Sequence, residues 1–347
     1  LTIVTARGHG ERMTRAWSWL LGSALIACAG GPPGAGAGVD GAAAGDGPGA
    51  DAAPARPLRI AVVSDLNGSY GSTRYEASVH EAVAELIARA PDLVLSTGDM
   101  VAGQQAGLDY RAMWTAFHAA VTEPLAAAGI PLAVTPGNHD GSGYPAFAGE
   151  RAVFVDEWQA RRPALPLVVD EYPSRYAFTL GPALFVSLDA TRVGRFSADE
   201  RAWVEAALAA ADRPVTIAFG HVPLHPFSQG REDEVLGDPA LEAALVAGGV
   251  DLFVSGHHHV YYPGQHDALR VLSMPCLGAG PRRLVGDAAV APRAFVLLEV
   301  DDDGVRSVEA FAESDWSTPV ARAGLPARLS HAGVVIDRDD LVVPAGR

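Results

Sequence analysis

Two carboxylates, one carboxamide and several imidazoles recur in this chain of 347 residues, each just after a short apolar run. Asp65 follows the first run and Gly98-Asp99 the second. Gly137-Asn138-His139-Asp140 follows the third, Gly220-His221 a later one, and Gly256-His257-His258-His259 the next. Taken singly, an Asp or Asn after a strand closes a turn, and a Gly before it permits the backbone geometry. Five such deliveries in succession point to something else. Ligand sites in α/β sheets gather outside the carboxyl ends of strands, where loops vary while the sheet fixes their origins. Asp, Asn and His together form a donor set for hard-to-borderline divalent cations. The only cysteines, Cys28 and Cys276, are too few for a disulfide framework or a Cys-rich zinc module.

Two other cation sites are weighed and set aside. A calcium loop partly fits Asp65, Asn67, Ser69, Thr73 and Glu76, but Tyr70 stands where that loop needs Gly, and a strand precedes it in place of a helix. A metallo-β-lactamase-like site has a His-x-His pair followed by Asp-His, where this chain has Val260-Tyr261. His80, His118, His225, His266 and His331 lack a motif and are expected at the surface or in packing. For His225, four residues after His221 in a Pro-rich loop, contact with substrate is the lesser reading. Cys276 is expected in the core, since an isolated thiol packs as a small apolar group.

The elements that must position these groups are legible from residue 58 onward. Strands are predicted at 59–64, 93–96, 132–135, 183–188, 215–219, 252–255, 270–274 and 294–300. Helix-period apolar residues occupy 75–89, 112–128, 198–211 and 239–247. Ser197, with Glu200 three residues on, signals a capping box. Alternating strands and helices imply a layered α/β domain with partly parallel sheets, and the later strands imply a second sheet. If 255–259 runs on as extended chain, His257 and His259 face one side and His258 the other, which makes His258 structural. Residues 313–347 are ambiguous: 332–336 and 340–343 are either short strands or part of a loose tail.

Composition narrows the function. A hydrophobic content of 49% permits a large core and rules out a disordered or fibrous chain. Lys+Arg number 26 against 41 Asp+Glu, for a net charge of −15, and every basic residue is Arg. A nucleic-acid binder working by counterion release is therefore not expected. A phosphorylated substrate would need a local source of positive charge.

The ordered series from Asp65 to His259 resembles the calcineurin-like metallophosphoesterase family. That family's signature runs Asp-x-His, Gly-Asp, Gly-Asn-His-Asp or Glu, a lone His, then Gly-His-x-His. The resemblance implies a four-layer α/β/β/α sandwich of metallo-dependent phosphatase type, with two mixed sheets and two divalent metal ions in a shallow cleft. It implies that Asp65 and His259 bind the first ion, that Asn138, His221 and His257 bind the second, and that Asp99 bridges both. Cations about 3.5–4 Å apart repel, so a shared carboxylate both neutralises and spaces them, while a hydroxide between them attacks phosphorus in line with the leaving oxygen. His139 then stands beside the site and protonates the leaving group, with Asp140 orienting its ring. One departure stands out: Asp65-Leu66-Asn67 ends in Asn where the family has His. An amide oxygen is a harder and weaker donor, which favours Mn, Mg or Fe over Zn, or loses the first ion altogether. Alternatively, Asn67-Gly68 is a tight turn. The implied activity is hydrolysis of phosphomonoesters or phosphodiesters, and the rival is a non-catalytic envelope binding protein with an incomplete metal site. Rim pieces that would select substrate are expected at 103–110, 141–173 and 223–238.

The amino-terminal region is read as an address. From Met13, a basic Arg15, an apolar run from Trp17 to Ala27 and then Leu25-Ile26-Ala27-Cys28 follow the layout of a bacterial lipoprotein signal peptide. Residues 1–27 are assigned to the signal peptide and upstream sequence. Residues 28–57, almost all Gly, Ala and Pro, form a tether; 58–312 form the phosphoesterase domain, and 313–347 an extension of unassigned role. The expected location is the bacterial cell envelope, with the protein exported and anchored in the membrane through lipid on Cys28.

Overall fold

A computed structural model of the protein describes residues 56–342 other than Ala279. The segment expected as a signal peptide, Cys28 and most of the expected tether lie outside the described residues. In chain order the elements are β1 (Leu58–Val63), α1 (Ala77–Arg89), β2 (Leu93–Ser96), α2 (Tyr110–Phe117), α3 (Glu123–Ala127), β3 (Leu132–Val134) and α4 (Ala148–Ala160). There follow β4 (Leu167–Glu171), β5 (Arg175–Leu180), β6 (Ala183–Ser187), α5 (Ala198–Leu208), β7 (Val215–Gly220), α6 (Pro239–Ala247) and β8 (Leu252–Ser255). The last are β9 (Tyr262–His266), β10 (Leu269–Ser273), β11 (Ala294–Asp301), β12 (Gly304–Ala312), β13 (Arg328–His331) and β14 (Val334–Arg338).

These strands form two mixed sheets, ordered β12-β11-β1-β2-β3 and β13-β14-β9-β10-β8-β7-β6-β5-β4. In the first, β1, β2 and β3 are parallel and β11 runs antiparallel to β1. In the second, β6, β7, β8 and β10 are parallel. The period-2 alternation of side chains sorts the second sheet's residues between two layers. Phe185, Ile217, Phe219 and Val254 enter the core shared with the first sheet, alongside Ile60, Val62 and Leu95. Their neighbours Leu184, Val186, Ala218 and Phe253 pack with Val204 and Leu208 of α5 and Leu241 and Leu245 of α6. Val79, Val83 and Leu86 of α1 join the first sheet's core. The result is the α/β/β/α order, and it leaves the carboxyl ends of both sets of parallel strands free to carry loops.

Helix ends follow their sequence signals. Ser197 Oγ accepts from Glu200 N (3.2 Å) and Glu200 Oε2 from Ser197 N (2.7 Å), completing the capping box of α5. The helix expected over 112–128 starts earlier, after the cap Asp109, and is interrupted by a π turn at His118–Thr122. Pro124 stands just after that turn and has no N–H to donate, while Glu123 N reaches five residues back to His118 O. Residues 313–342 are not a loose tail. β13 and β14 pair with each other, and β14 extends the second sheet by pairing with β9. Where a strand is expected at 340–343, the described residues hold none: Asp339–Leu341 form a 3₁₀ turn, with the Asp339 carboxylate held by Arg270 (3.0 Å) and Arg322.

Two buried side chains make testable demands on stability. Tyr176 Oη donates to Val134 O (2.7 Å) and accepts from Val134 N (3.0 Å), so one phenol completes the open edge of β3. Tyr176→Phe strands both backbone groups in a fully buried site and is expected to cost about 1–3 kcal/mol in urea unfolding. The second case is His118, packed against Trp114, Phe117 and Trp158. Burial, then Arg161, push its imidazole down to about 4 against the pull of Glu157. Its folded value lies below the unfolded one of about 6.5, so stability is complete above that pH. As pH falls toward 4, only the unfolded chain takes up the proton, and up to about 1.4 kcal/mol per pH unit is lost. Unfolding curves from pH 7 to 4 should therefore show the parent's advantage over His118→Gln shrinking.

Candidate metal centre

The sheet ends bring the scattered groups together. Asp65, Asp99 and Asn138 leave the first sheet after β1, β2 and β3, while His221, His257 and His259 leave the second after β7 and β8. Asn67, Asp99, Asn138, His139, His257 and His259 line one open cleft of about 670 Å³. Asp65 and His221 are fully buried, and one oxygen or ring nitrogen from each of Asp65, Asp99 and His221 falls within a 4.8 Å cluster.

The backbone here is unusual. Asp65, Asp99, His257 and His259 have φ of 50°, 54°, 66° and 55°, the left-handed region that costs an L-residue roughly 1–2 kcal/mol. The extended path expected over 255–259 is therefore wrong, because two left-handed residues coil the loop. His258 is nonetheless structural. Its Nδ1 accepts from Phe227 N (3.1 Å), and its Nε2 donates to Glu234 O (3.1 Å). The glycines serve two different ends. Gly98 has φ of 99°, a conformation that favours glycine, whereas Gly137 is needed for closeness: a Cβ there would stand 2.2 Å from Asp99 N and Oδ1.

The contacts fall into two groups. In one, Asp65 Oδ1 lies 3.0 Å from His259 Nε2 but off the line of a hydrogen bond. In the other, His221 Nε2 lies 3.0 Å from Asn138 Oδ1 and 3.4 Å from Asp99 Oδ2. Each imidazole is tied down at one nitrogen. His221 Nδ1 bonds Thr97 O (2.8 Å), His259 Nδ1 bonds Gly280 O (2.9 Å), and His257 Nε2 bonds Glu234 Oε2 (3.1 Å). Anchoring one ring nitrogen to an acceptor and presenting the other is the pattern of metal-ligating histidine. Asp65 is steadied through Oδ2, which accepts from Ser64 Oγ (2.5 Å) and His257 N (3.1 Å).

Asn67 belongs to this wall and not to a turn. The turn comes later, where Ser72 N donates to Ser69 O (2.9 Å). The Asn67 amide nitrogen faces Val101 O (3.4 Å), and its Oδ1, like Asp65 Oδ1, is buried with no hydrogen-bond partner. Two orphaned oxygens among imidazoles fit a cation better than they fit a dry core, where each would cost about 1–3 kcal/mol.

His139 stands at the edge of the cleft. Its Nδ1 bonds Gly103 O (3.1 Å), its ring packs on Tyr70 at 5.4 Å, and its Nε2 lies 4.0 Å from Asp99 Oδ2. Asp140 does not orient that ring, contrary to expectation. Its Oδ1 accepts from Met100 N (2.7 Å) and Val101 N (3.0 Å), and its Oδ2 from Gly137 N (2.9 Å). A short acid three residues from Gly137 closes its own loop and pins the Asp99 loop, leaving Gly103 to hold the imidazole.

Electrostatics follow the geometry. Burial alone would raise the Asp99 carboxyl, but His221 and then His139 outweigh it and hold it far below the usual range. Asp65 is lowered likewise, with His259 overcoming burial. Burial and the Asp99 charge push Asp140 up to about 7. Burial would lower His221, yet Asp99 holds it at about 9, in keeping with acceptors at both its ring nitrogens.

Several cleft residues carried no motif. Gln104 Oε1 accepts from the Asn138 amide (3.1 Å), which turns Asn138 Oδ1 toward His221. Arg231, Arg282 and Arg293 are the cationic groups of the cleft lining, with Arg231 paired to Glu234 (2.5 Å) and Arg293 to Glu313 (3.6 Å). Arg282 also donates to His257 O (2.6 Å). Of these, Gln104, Arg231 and Glu234 lie in the expected rim segments 103–110 and 223–238, whereas 278–293 gave no signal. Glu234→Gln removes the carboxylate that orients His257. Chelator competition should show metal affinity lowered about 10–100-fold with the fold intact.

Comparisons with known proteins agree with this geometry. Purple acid phosphatase 18 of Arabidopsis thaliana is 27% identical over 215 residues, covering 59% of this chain and 44% of that protein. The chain thus spans less than half the length of this relative. The purple acid phosphatase PPD1 of yellow lupin superposes with a TM-score of 0.58 at 19% identity, covering 75% of this chain and 52% of that one. GAP50, described as the anchor in the inner membrane complex of Plasmodium, superposes with a TM-score of 0.51 at 13% identity, covering 77% and 88%. These superpositions show the fold. Residues 58–261 match the calcineurin-like phosphoesterase family, which takes in every strand end that delivers a donor to the cleft, and the chain belongs to that family.

Proposed function

We propose that the cleft hydrolyses phosphomonoesters or phosphodiesters with two divalent ions of Mn, Fe or Zn. The observation that carries this reading is the convergence of Asp65, Asn67, Asp99, Asn138, His221, His257 and His259, with two buried oxygens left without donors. Asp65, Asn67 and His259 would hold one ion, Asn138, His221 and His257 the other, and Asp99 would serve both. Such ions supply Lewis acidity toward phosphate and water. The chain's own residues do the rest. Gln104 fixes the Asn138 amide, Glu234 fixes His257, and Arg231 and Arg282 favour the anion at the cleft wall. Gly103 O holds Nδ1–H of His139, so a proton for the departing oxygen would come from Nε2 of the doubly protonated ring, which leaves the neutral ring with its hydrogen on Nδ1.

The rival is an envelope binding protein that keeps the fold and holds one metal or none because of Asn67. Its appeal is that a relative of this fold is described as an anchor. The orphaned Asn67 Oδ1 in the cleft favours the enzyme. The deciding experiment measures bound metal in the purified protein and its turnover of an aryl phosphomonoester and phosphodiester after loading with Mn²⁺, Fe²⁺ or Zn²⁺. Two ions with turnover support the enzyme, and neither would establish the rival. Export to the bacterial envelope with lipid on Cys28 belongs to the same proposal, and loss of lipid labelling in Cys28→Ser is its check.

A further inference from the structure

A second set of metal-type donors lies outside the cleft lining. His225 sits in the loop after β7, Glu242 in the first turn of α6, and His266 at the end of β9. His225 Nε2 and His266 Nδ1 approach the same oxygen, Glu242 Oε1, at 3.3 and 2.7 Å. The donor atoms of all three residues lie within 4.8 Å of one another, and the two rings stand 4.0 Å apart. None of the three lines the catalytic cleft.

Three separate segments are built to deliver them. Leu236 N and Gly237 N bond Pro223 O and Leu224 O, holding the His225 loop against the approach to α6. Asp238 caps α6 through Ala240 N and Leu241 N, which fixes where Glu242 projects. His266 is placed by the β9–β10 hairpin, and Asp267, left-handed at φ of 47°, brings a further carboxylate oxygen to 4.0 Å from His266 Nδ1. His225 is buried, and His266 and Glu242 are half-buried.

We propose that His225, Glu242 and His266 form a separate zinc site, a structural clip between the His221-bearing loop, α6 and the β9–β10 hairpin. Two imidazoles and a glutamate are a recurrent zinc donor set, and a tetrahedral ion has room for Asp267 or water as fourth ligand. The carboxylates of Glu242 and Asp267 match a divalent cation in charge.

The test is a Zn²⁺ titration of tag-free, metal-stripped full-length protein against a chromophoric chelator. The parent should bind one equivalent more than Glu242→Gln or His266→Gln. A second readout uses Asp99→Asn as the background, where Zn²⁺ should still raise the Tm, and where adding His266→Gln should abolish that rise. His266 is half-buried at a hairpin end, so its variant reads the site even if Glu242→Gln unfolds. Equal zinc counts in parent and His266→Gln, or an equal Tm rise in both backgrounds, would overturn the proposal. Neither readout depends on hydrolysis, so the result stands apart from that of the cleft.

Discussion

Asp99→Asn is expected to empty the cleft of metal and to lower turnover of an aryl phosphate by at least about 10²–10³-fold, the cost of losing one well-placed charged partner in an active site. The substitution keeps shape and one acceptor oxygen, so the bond from His139 N to Asp99 Oδ1 (2.9 Å) survives and the loop stays folded. What disappears is the negative charge beside His221 and near Asp65. Metal content by mass spectrometry and initial rates at saturating metal give the answer together. A variant that kept the parent's metal count and its rate would remove Asp99 from the centre.

His139→Ala is expected to keep its metal and lose about 10²–10⁴-fold in kcat, the usual worth of a positioned proton donor. The reasons are that Nδ1 is spent on Gly103 O, that the ring is partly open to the cleft, and that Tyr70 packs on it. A proton donor matters most for a poor leaving group. The loss should therefore be greatest with phenyl phosphate and small with a nitrophenyl ester, with KM changing little. An equal loss on both substrates would make His139 a positioning residue for Asp99, through its ring Nε2 beside Asp99 Oδ2 (4.0 Å).

Much of this centre was legible in the residues themselves. Strand ends at Asp65, Asp99, Asn138, His221 and His257 were readable because their apolar runs are buried on both faces and stop abruptly at Gly or a polar residue. The same holds for α5, whose capping box at Ser197 was readable, whereas the cap of α6, Asp238, is seen only in the fold. What could not be read was set by tertiary contact. β9 contains Pro263 and Gly264, which speak against a strand, and it forms because β10 and β14 flank it. Asp140 lies beside His139 in sequence, yet its carboxylate turns to three backbone N–H groups that only the folded loops bring near. Asn67 reads as a turn residue locally, and only the position of Val101 and the cleft wall shows otherwise. Glu234 and Gly280, which anchor His257 and His259, belong to loops with no periodicity.

The position of β1 in its sheet has a consequence for how the protein is made. β1 lies between β2, which follows it at once, and β11, whose Val300 pairs with Leu58. During synthesis the nascent chain exposes one bare edge of a strand that is apolar but for Arg59 until almost the whole domain has left the ribosome, a long wait before the strand is paired on both sides. Holdase protection over that interval, and sluggish refolding from denaturant, are what this strand order entails.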